Sequence, residues 1–239
     1  MKIFSCLMVS IFFALAMNGS FSTENPAPIP PNEMVIDNFV PPKLNDDGEP
    51  FVFSPGIFPF DWKYRDKKAV EIYGVVKEKE NYYVKARSLN SGIQILKKFK
   101  VDLKEFPILS WKWRVIKLPS EEKPSEKNKS DNGASIYAIF SGFLSRTALK
   151  YGWSNYYTKG TFIDKSSQMK VIFLRDKTDP KNTWVLESRN LYEDYKDYFG
   201  KEPSKLTAIA IMSDSDDTES LAEADYSDFK MKSKALPSL

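Results

Sequence analysis

The 239-residue sequence contains no histidine and only one cysteine, Cys6. Without histidine, the chain lacks the general base of a Ser-His-Asp triad, the partner of a Cys-His pair and the imidazole ligand of a zinc site. Any catalysis therefore has to depend on carboxylate, Tyr, Lys or Arg side chains, or on a cation held by oxygen ligands. The formal net charge of +3 is too small to predict nucleic acid or an anionic membrane as a partner.

The N-terminal segment predicts export. Lys2 precedes an apolar run over residues 3–16, which ends in the small-x-small pattern Ala14-Leu15-Ala16 that signal peptidases cleave. The run is shorter than the roughly 20 residues of a membrane-spanning helix, and a retained anchor is the alternative. Residues 1–16 are therefore expected to be a removed signal peptide, and the mature protein to be periplasmic or extracellular with no membrane span. Because Cys6 leaves with the signal, no disulfide is expected.

The remaining chain is expected to contain a proline-rich tether (17–33), one domain (34–232) and a short tail (233–239). Ten short apolar segments separated by turn residues predict strands in the domain. Such a pattern predicts a mainly β fold, a β-sandwich or jelly roll. The predicted strands are 34–39, 70–76, 82–88, 92–99, 108–115, 134–140, 169–174, 183–187, 206–212 and 222–231.

One short helix is predicted at residues 190–199. Ser188 is the expected N-cap, Gly200 suits a left-handed C-terminal residue, and Pro203 prevents continuation. Four aromatic side chains form a stripe that is expected to pack onto a sheet: Tyr192, Tyr195, Tyr198 and Phe199.

Aromatic residues suggest two places for a ligand. Trp111 and Trp113 share one face of a predicted strand, where core packing is favoured over a platform for sugar rings. Arg114, on the other face, is expected to meet solvent or an anion. A second aromatic group, at residues 151–157, has the composition of a loop, and loops often carry binding residues. Its candidate ligand contacts are Trp153, Tyr156 and Tyr157.

Carboxylates supply the remaining candidates. Asp214, Asp216 and Asp217 follow a predicted strand and are candidate calcium ligands, with a solvated turn as the alternative. No other cofactor is expected. Glu187 and Arg189 share a face and are expected to form a structural ion pair. The alternative is that Glu187 acts with Asp214 or Asp216 as the catalytic carboxyl pair of a glycosidase, about 5–10 Å apart.

Several segments together resemble the bacterial domain-of-unknown-function family 3047 over about residues 35–231. They include Asp37-Asn38-Phe39, residues 109–119, Asp131-Asn132, Tyr151-Gly152-Trp153, residues 187–200, the acidic turn 213–218 and Tyr226-Ser227-Asp228. The resemblance implies an exported protein with a galactose-binding-like jelly-roll β-sandwich, a fold used mostly to bind carbohydrate. It implies no particular activity.

Arg114, Asp131 and Arg189 lie in these segments and join the candidate ligand-binding residues. Two positions depart from the family pattern: Asn132 replaces a second acidic residue, and Ser135 stands where an arginine is expected. The sequence thus favours an exported, non-catalytic binding domain for carbohydrate or cell-envelope glycan. A carboxylate-dependent carbohydrate-active enzyme and a structural or interaction protein of the envelope are the alternatives.

Overall fold

The structure, a computed structural model, describes residues 32–41, 57–120, 130–142 and 146–234. The predicted signal peptide, the tether up to residue 31 and the tail beyond residue 234 lie outside the described residues. Among the residues that are described, no helix is long and apolar enough to cross a membrane.

Thirteen strands and two helices follow one another in the described part of the chain. They are β1 (Glu33–Asp37), β2 (Lys63–Tyr64), α1 (Ala69–Ile72), β3 (Tyr73–Glu78), β4 (Asn81–Leu89), β5 (Ile95–Val101), β6 (Ile108–Lys117), β7 (Ala134–Ser141), β8 (Arg146–Trp153), β9 (Phe162–Ser166), β10 (Met169–Arg175), β11 (Val185–Asn190), α2 (Leu191–Phe199), β12 (Lys205–Met212) and β13 (Leu221–Lys232).

The strands form two sheets. The six-stranded sheet has the order β11-β6-β13-β4-β3, with β1 also paired to β13, and the seven-stranded sheet has the order β2-β5-β12-β7-β8-β10-β9. All pairings are antiparallel except that of β8 with β10. Several strands that are consecutive in the chain, such as β4, β5, β6 and β7, alternate between the two sheets. The predicted mainly β, jelly-roll sandwich is confirmed.

The two sheets meet through aromatic side chains. Trp111 and Trp113 on β6 are fully buried, as the sequence predicts, because they alternate with the outward-facing Lys112 and Arg114. The ring centres of Trp111 and Tyr151 are 5.6 Å apart, and those of Trp113 and Trp153 are 5.7 Å apart. Since β6 and β8 belong to different sheets, these contacts join the two layers of the sandwich.

Strand β8 corrects the sequence prediction of an aromatic loop at residues 151–157. Tyr151 and Trp153 belong to this strand and are fully buried. Gly152 lies between them in the strand, where a Cβ atom would come within 2.9 Å of the Phe173 ring, so the close packing favours glycine. A smaller correction concerns the predicted strand 70–76, whose first residues form the short helix α1.

Helix α2 is confirmed, with one change at its start. The side chain of Asn190, and not that of Ser188, accepts a hydrogen bond from the Glu193 backbone N–H. Gly200 ends the helix in the left-handed conformation, with φ of 66°. The Tyr195 ring packs 4.7 Å from that of Phe140 in the seven-stranded sheet, as predicted for the aromatic stripe.

Candidate functional site

A groove crosses the outer face of the seven-stranded sheet. It has a volume of about 680 Å³. Its floor consists of Leu96 on β5, Tyr137 and Ile139 on β7, and Ala148 on β8. These side chains alternate with core residues along their strands, so they point away from the sandwich interior.

A second cavity of about 390 Å³ extends the groove, and the two share Leu96, Ile139 and Arg146. We call the combined feature the outer groove. Polar and charged residues and one exposed aromatic ring surround its floor: Tyr64, Arg65, Asp66, Gln94, Lys98, Lys100, Arg146, Ser166, Gln168 and Thr207.

Three buried residues, Asp131, Lys150 and Asp214, form a compact group beside the outer groove with the exposed Asp216 at its edge. We call these four residues the buried charged cluster. Asp131 precedes β7, and the other two acids follow β12. Because β7 and β12 are antiparallel, with Ser135 opposite Met212, the start of one strand lies beside the end of the other. Oxygen atoms of the three carboxylates lie within 4.8 Å of one another.

Burial dominates the electrostatics of this cluster. It raises the pKa of Asp214 to about 8, although the nearby Lys150 ammonium acts in the opposite direction. Burial also lowers the pKa of Lys150, against the attraction of Asp214 and Asp131. The pKa of Asp131 is raised by burial in spite of hydrogen bonds from the Thr218 backbone N–H and hydroxyl. Asp214 therefore holds its proton to a higher pH than an ordinary aspartate.

Several polar atoms in and beside the cluster have no hydrogen-bond partner. Among the residues described, six buried side-chain atoms lack one, and four of them belong to Asp131, Asn132, Ser135 and Asp214. Buried polar atoms in folded proteins are nearly always paired. Their concentration in one region marks this end of the sheet as suited to a polar group.

The cluster adjoins the outer groove through Gly92 and Tyr137, which line the groove. A Cβ atom on Gly92 would come within 2.3 Å of Asp214 Oδ1, so only glycine leaves room for that carboxyl. The Lys150 ammonium lies 5.5 Å from the centre of the Tyr137 ring. A molecule in the groove therefore has the buried charged cluster as its neighbour.

The predicted calcium ligands are only partly grouped by the structure. Asp214 and Asp216 lie together, but Asp131 joins them in the cluster. Asp217 instead accepts a hydrogen bond from the Ser130 hydroxyl at 2.5 Å. Calcium binding stays a prediction, which a chelator that lowers the melting temperature would support. Lys150 was not predicted to belong to the cluster. The signal that could have identified it is a lysine among the apolar residues of segment 146–153.

Glu187 occupies a different network. Arg175 Nε donates to its carboxylate at 2.7 Å, and the Trp113 indole N–H donates at 3.2 Å. The expected structural ion pair is present, but the expected partner, Arg189, is wrong. Within the described ranges no hydrogen bond or ion pair joins Glu187 to Asp214 or Asp216. A catalytic pair that includes Glu187 stays a prediction.

Arg189 and Arg114 also lie outside the lining of the outer groove. Arg189 binds Asp194 through two hydrogen bonds of 2.9 and 2.5 Å. Arg114 lies on the outer face of the six-stranded sheet, where its Nε donates to Asp225 at 2.6 Å. Its guanidinium group is 4.6 Å from the centre of the Trp184 ring. Both cations are thus held by protein carboxylates.

The three aromatic residues predicted to contact a ligand lie in different environments. Trp153 is fully buried and its indole N–H donates to the Asp176 carbonyl, so its ring is inaccessible to a ligand. The Tyr156 hydroxyl donates to the Ser120 carbonyl, and Tyr157 stacks on Phe173 with ring centres 4.6 Å apart. Contact of Tyr156 or Tyr157 with a ligand stays a prediction.

A family model described as "Protein of unknown function (DUF3047)" matches residues 61–230. The chain belongs to this family. The match confirms the resemblance seen in the sequence, and it includes the floor of the outer groove and the whole buried charged cluster. No curated protein sequence matches the chain.

Solved structures with a similar fold include two carbohydrate-binding modules of Clostridium thermocellum cellulosomal cellulases. The family 11 module is 7% identical, with a TM-score of 0.40, and the match covers 84% of this chain and 95% of the module. The family 30 module is 9% identical, with a TM-score of 0.37 and coverages of 72% and 87%. A β-1,2-glucanase from Parabacteroides distasonis is 13% identical, with a TM-score of 0.39 and coverages of 75% and 23%. These likenesses concern the fold alone.

Proposed function

We propose that this DUF3047 protein is an exported, non-catalytic binding protein that holds a carbohydrate or cell-envelope glycan in the outer groove. The observation that supports the proposal is the groove itself. Its volume of about 680 Å³ lies within the usual range of small-ligand sites. Its floor is a hydrogen-bonded sheet, which fixes the positions of the side chains that line it.

The chemistry of the lining suits a saccharide. Sugar hydroxyls both donate and accept hydrogen bonds, and the side-chain amides of Gln94 and Gln168 do the same. The Tyr64 ring, 41% exposed, offers an apolar face for sugar C–H groups and a hydroxyl for a hydrogen bond. Leu96 and Ile139 supply further apolar surface below it.

A glycan array followed by calorimetry with cell-envelope polysaccharides tests the proposal. We expect Tyr64→Ala and Gln94→Ala to weaken binding of the glycan that the array identifies. Phe162→Ala is the matched control, because its ring is 42% exposed and, like that of Tyr64, lies against one partly buried aromatic ring. Absence of any glycan binding, or equal effects of Tyr64→Ala and Phe162→Ala, would overturn the proposal.

One observation favours a second candidate, a carboxylate-dependent carbohydrate-active enzyme. Burial raises the pKa of Asp214 beside the outer groove, so this acid holds its proton to a higher pH than an ordinary aspartate, as a general acid requires. Asp131 and Asp216 are carboxylates close to it. This candidate requires release of reducing sugar from a bound glycan and its loss in Asp214→Asn. Binding without hydrolysis in the wild-type protein would exclude it.

A further inference from the structure

We infer that the glycan held in the outer groove is anionic, carrying uronate, sulfate or phosphate groups. The inference rests on the proposed function and specifies its ligand. Among the described residues, four cationic side chains line the groove, Arg65, Lys98, Lys100 and Arg146, against one carboxylate, Asp66. The chain as a whole has 35 Lys and Arg residues against 32 Asp and Glu residues, so the groove is richer in cations than the chain average.

The cations lie on both sides of the groove. Lys98 and Lys100 alternate with core residues along β5, which places them on the outer face of the sheet. Arg65 directly follows β2, the strand at the edge of the sheet beside β5. Arg146 begins β8, where it lies opposite Ser141 of β7. An extended ligand that lies along the groove therefore passes between positive charges.

These charges are not neutralised by the protein. All four cations are exposed, and none lies within 4.0 Å of a carboxylate in the part of the chain that the structure describes. Lys97, their neighbour on β5, provides the contrast, because it points to the other face and binds Asp37 at 2.7 Å. Asp66 accepts a hydrogen bond from the Lys68 backbone N–H at 2.9 Å. The groove thus keeps a positive field available to a ligand.

The two ends of the groove differ in charge. At Gly92 and Tyr137 the groove adjoins the buried charged cluster, in which acidic and basic groups are mixed. At the other end, the described lining residues include Lys98, Lys100 and Arg146 and no carboxylate. The acidic groups of the ligand are therefore expected near Lys98, Lys100 and Arg146, with a neutral part near Tyr137. This difference along the groove gives the ligand a preferred direction. A flat anionic membrane does not fit cations that line a concave surface.

The inference is tested by calorimetry on the mature chain with four probes. They are an oligogalacturonate, its fully methyl-esterified and therefore neutral form, a sulfated dextran oligosaccharide, and single-stranded oligothymidylate. We expect the first or the third to bind at least about tenfold more tightly than the neutral ester, and the affinity to fall as the salt concentration rises. Oligothymidylate is expected to bind more weakly than the preferred glycan.

Two triple variants, each of which removes three positive charges, test whether the cations of the groove cause the preference for an anionic glycan. Lys98→Gln/Lys100→Gln/Arg146→Gln is expected to weaken binding of the anionic oligosaccharide about tenfold, the combined effect of three exposed ion pairs. Lys117→Gln/Lys181→Gln/Lys201→Gln removes three exposed cations outside the groove and is expected to leave affinity unchanged. Circular dichroism and melting temperature establish that both variants are folded.

The outcomes separate the inference from the proposed function. Binding of a neutral glycan that Tyr64→Ala weakens, with no preference for the acidic probes, overturns the inference and leaves the proposed function intact. Equal losses in the two triple variants, or equal affinity for oligothymidylate, overturn the inference by showing general attraction to polyanions. Failure to bind any glycan overturns both.

Discussion

The Lys150 ammonium on β8 and the Asp214 carboxyl after β12 share one buried cluster, and each shifts the pKa of the other. Lys150 lowers the pKa of Asp214, and Asp214 raises that of Lys150. Burial acts on both groups in the opposite direction and exceeds this attraction. The two residues are therefore coupled, and removal of one leaves the other buried among polar groups without its principal counter-charge.

A double-mutant cycle measures this coupling. Lys150→Met and Asp214→Asn are each expected to lower the free energy of unfolding, and the double variant to lose less than the sum, with a coupling of about 1–3 kcal/mol. Urea unfolding at pH 7 measures the change in the free energy of unfolding for each of the three variants. The half-exposed ion pair of Lys112 and Asp228, 2.8 Å apart, is the control and should show a coupling below about 1 kcal/mol. Additivity at Lys150 and Asp214 would contradict the prediction.

The raised pKa of Asp214 predicts a pH dependence of stability. Its ordinary pKa is 3.8, and its pKa in the folded protein is about 8, so the folded state binds more protons between these values. The free energy of unfolding that Asp214 contributes is therefore fully present below its ordinary pKa and is lost as the pH rises through about 8. Lys150, Asp131 and Asp216 are the charged groups that face it.

Comparison of the wild type with Asp214→Asn isolates this contribution. The difference in unfolding free energy, wild type minus variant, is expected to fall between about pH 5 and pH 7.5, by at most about 1.4 kcal/mol per pH unit. Urea titrations across this range measure it. A difference that stays constant or increases with pH would show that Asp214 ionises near its ordinary pKa.

Asp194 on α2 connects the helix to both sheets. It accepts hydrogen bonds from the Tyr151 hydroxyl at 2.6 Å and from Arg189. Asp194→Asn leaves the Arg189 guanidinium without its counter-charge, and we expect the free energy of unfolding to fall by about 3–5 kcal/mol. Asp197→Asn, at an exposed position of the same helix, should change it by less than about 0.5 kcal/mol. Equal effects in urea unfolding would refute a structural role of Asp194.

Trp153 is expected to matter for stability and not for ligand binding. Trp153→Ala removes a fully buried indole between the sheets and should cost about 3–5 kcal/mol in urea unfolding. Trp184→Ala, at a half-buried position on the outer face of the other sheet, should cost less. Trp153→Phe, which preserves most of the packing, should leave glycan affinity unchanged in calorimetry. A large loss of affinity in a folded Trp153→Phe protein would argue for a direct contact.

Regular local patterns were readable from the sequence. The alternation from Leu109 to Val115 predicted a strand with Trp111 and Trp113 in the core, because side chains of a strand point alternately to its two faces. Gly200 marked the end of α2, because only glycine adopts its left-handed conformation at little cost. Strand β8 escaped prediction because Lys150 and Gly152 are typical of exposed and turn positions.

Composition and the spacing of neighbouring residues were enough to predict the β-rich sandwich and its short helix and to exclude histidine chemistry. Which charges meet depends on the tertiary structure. Strand register places Asp131 and Lys150 beside Asp214, separates Glu187 from them, and lines Lys98 and Arg146 along one groove. Contacts between distant segments depend on which strands pair and in what register, and a local sequence pattern does not specify that pairing.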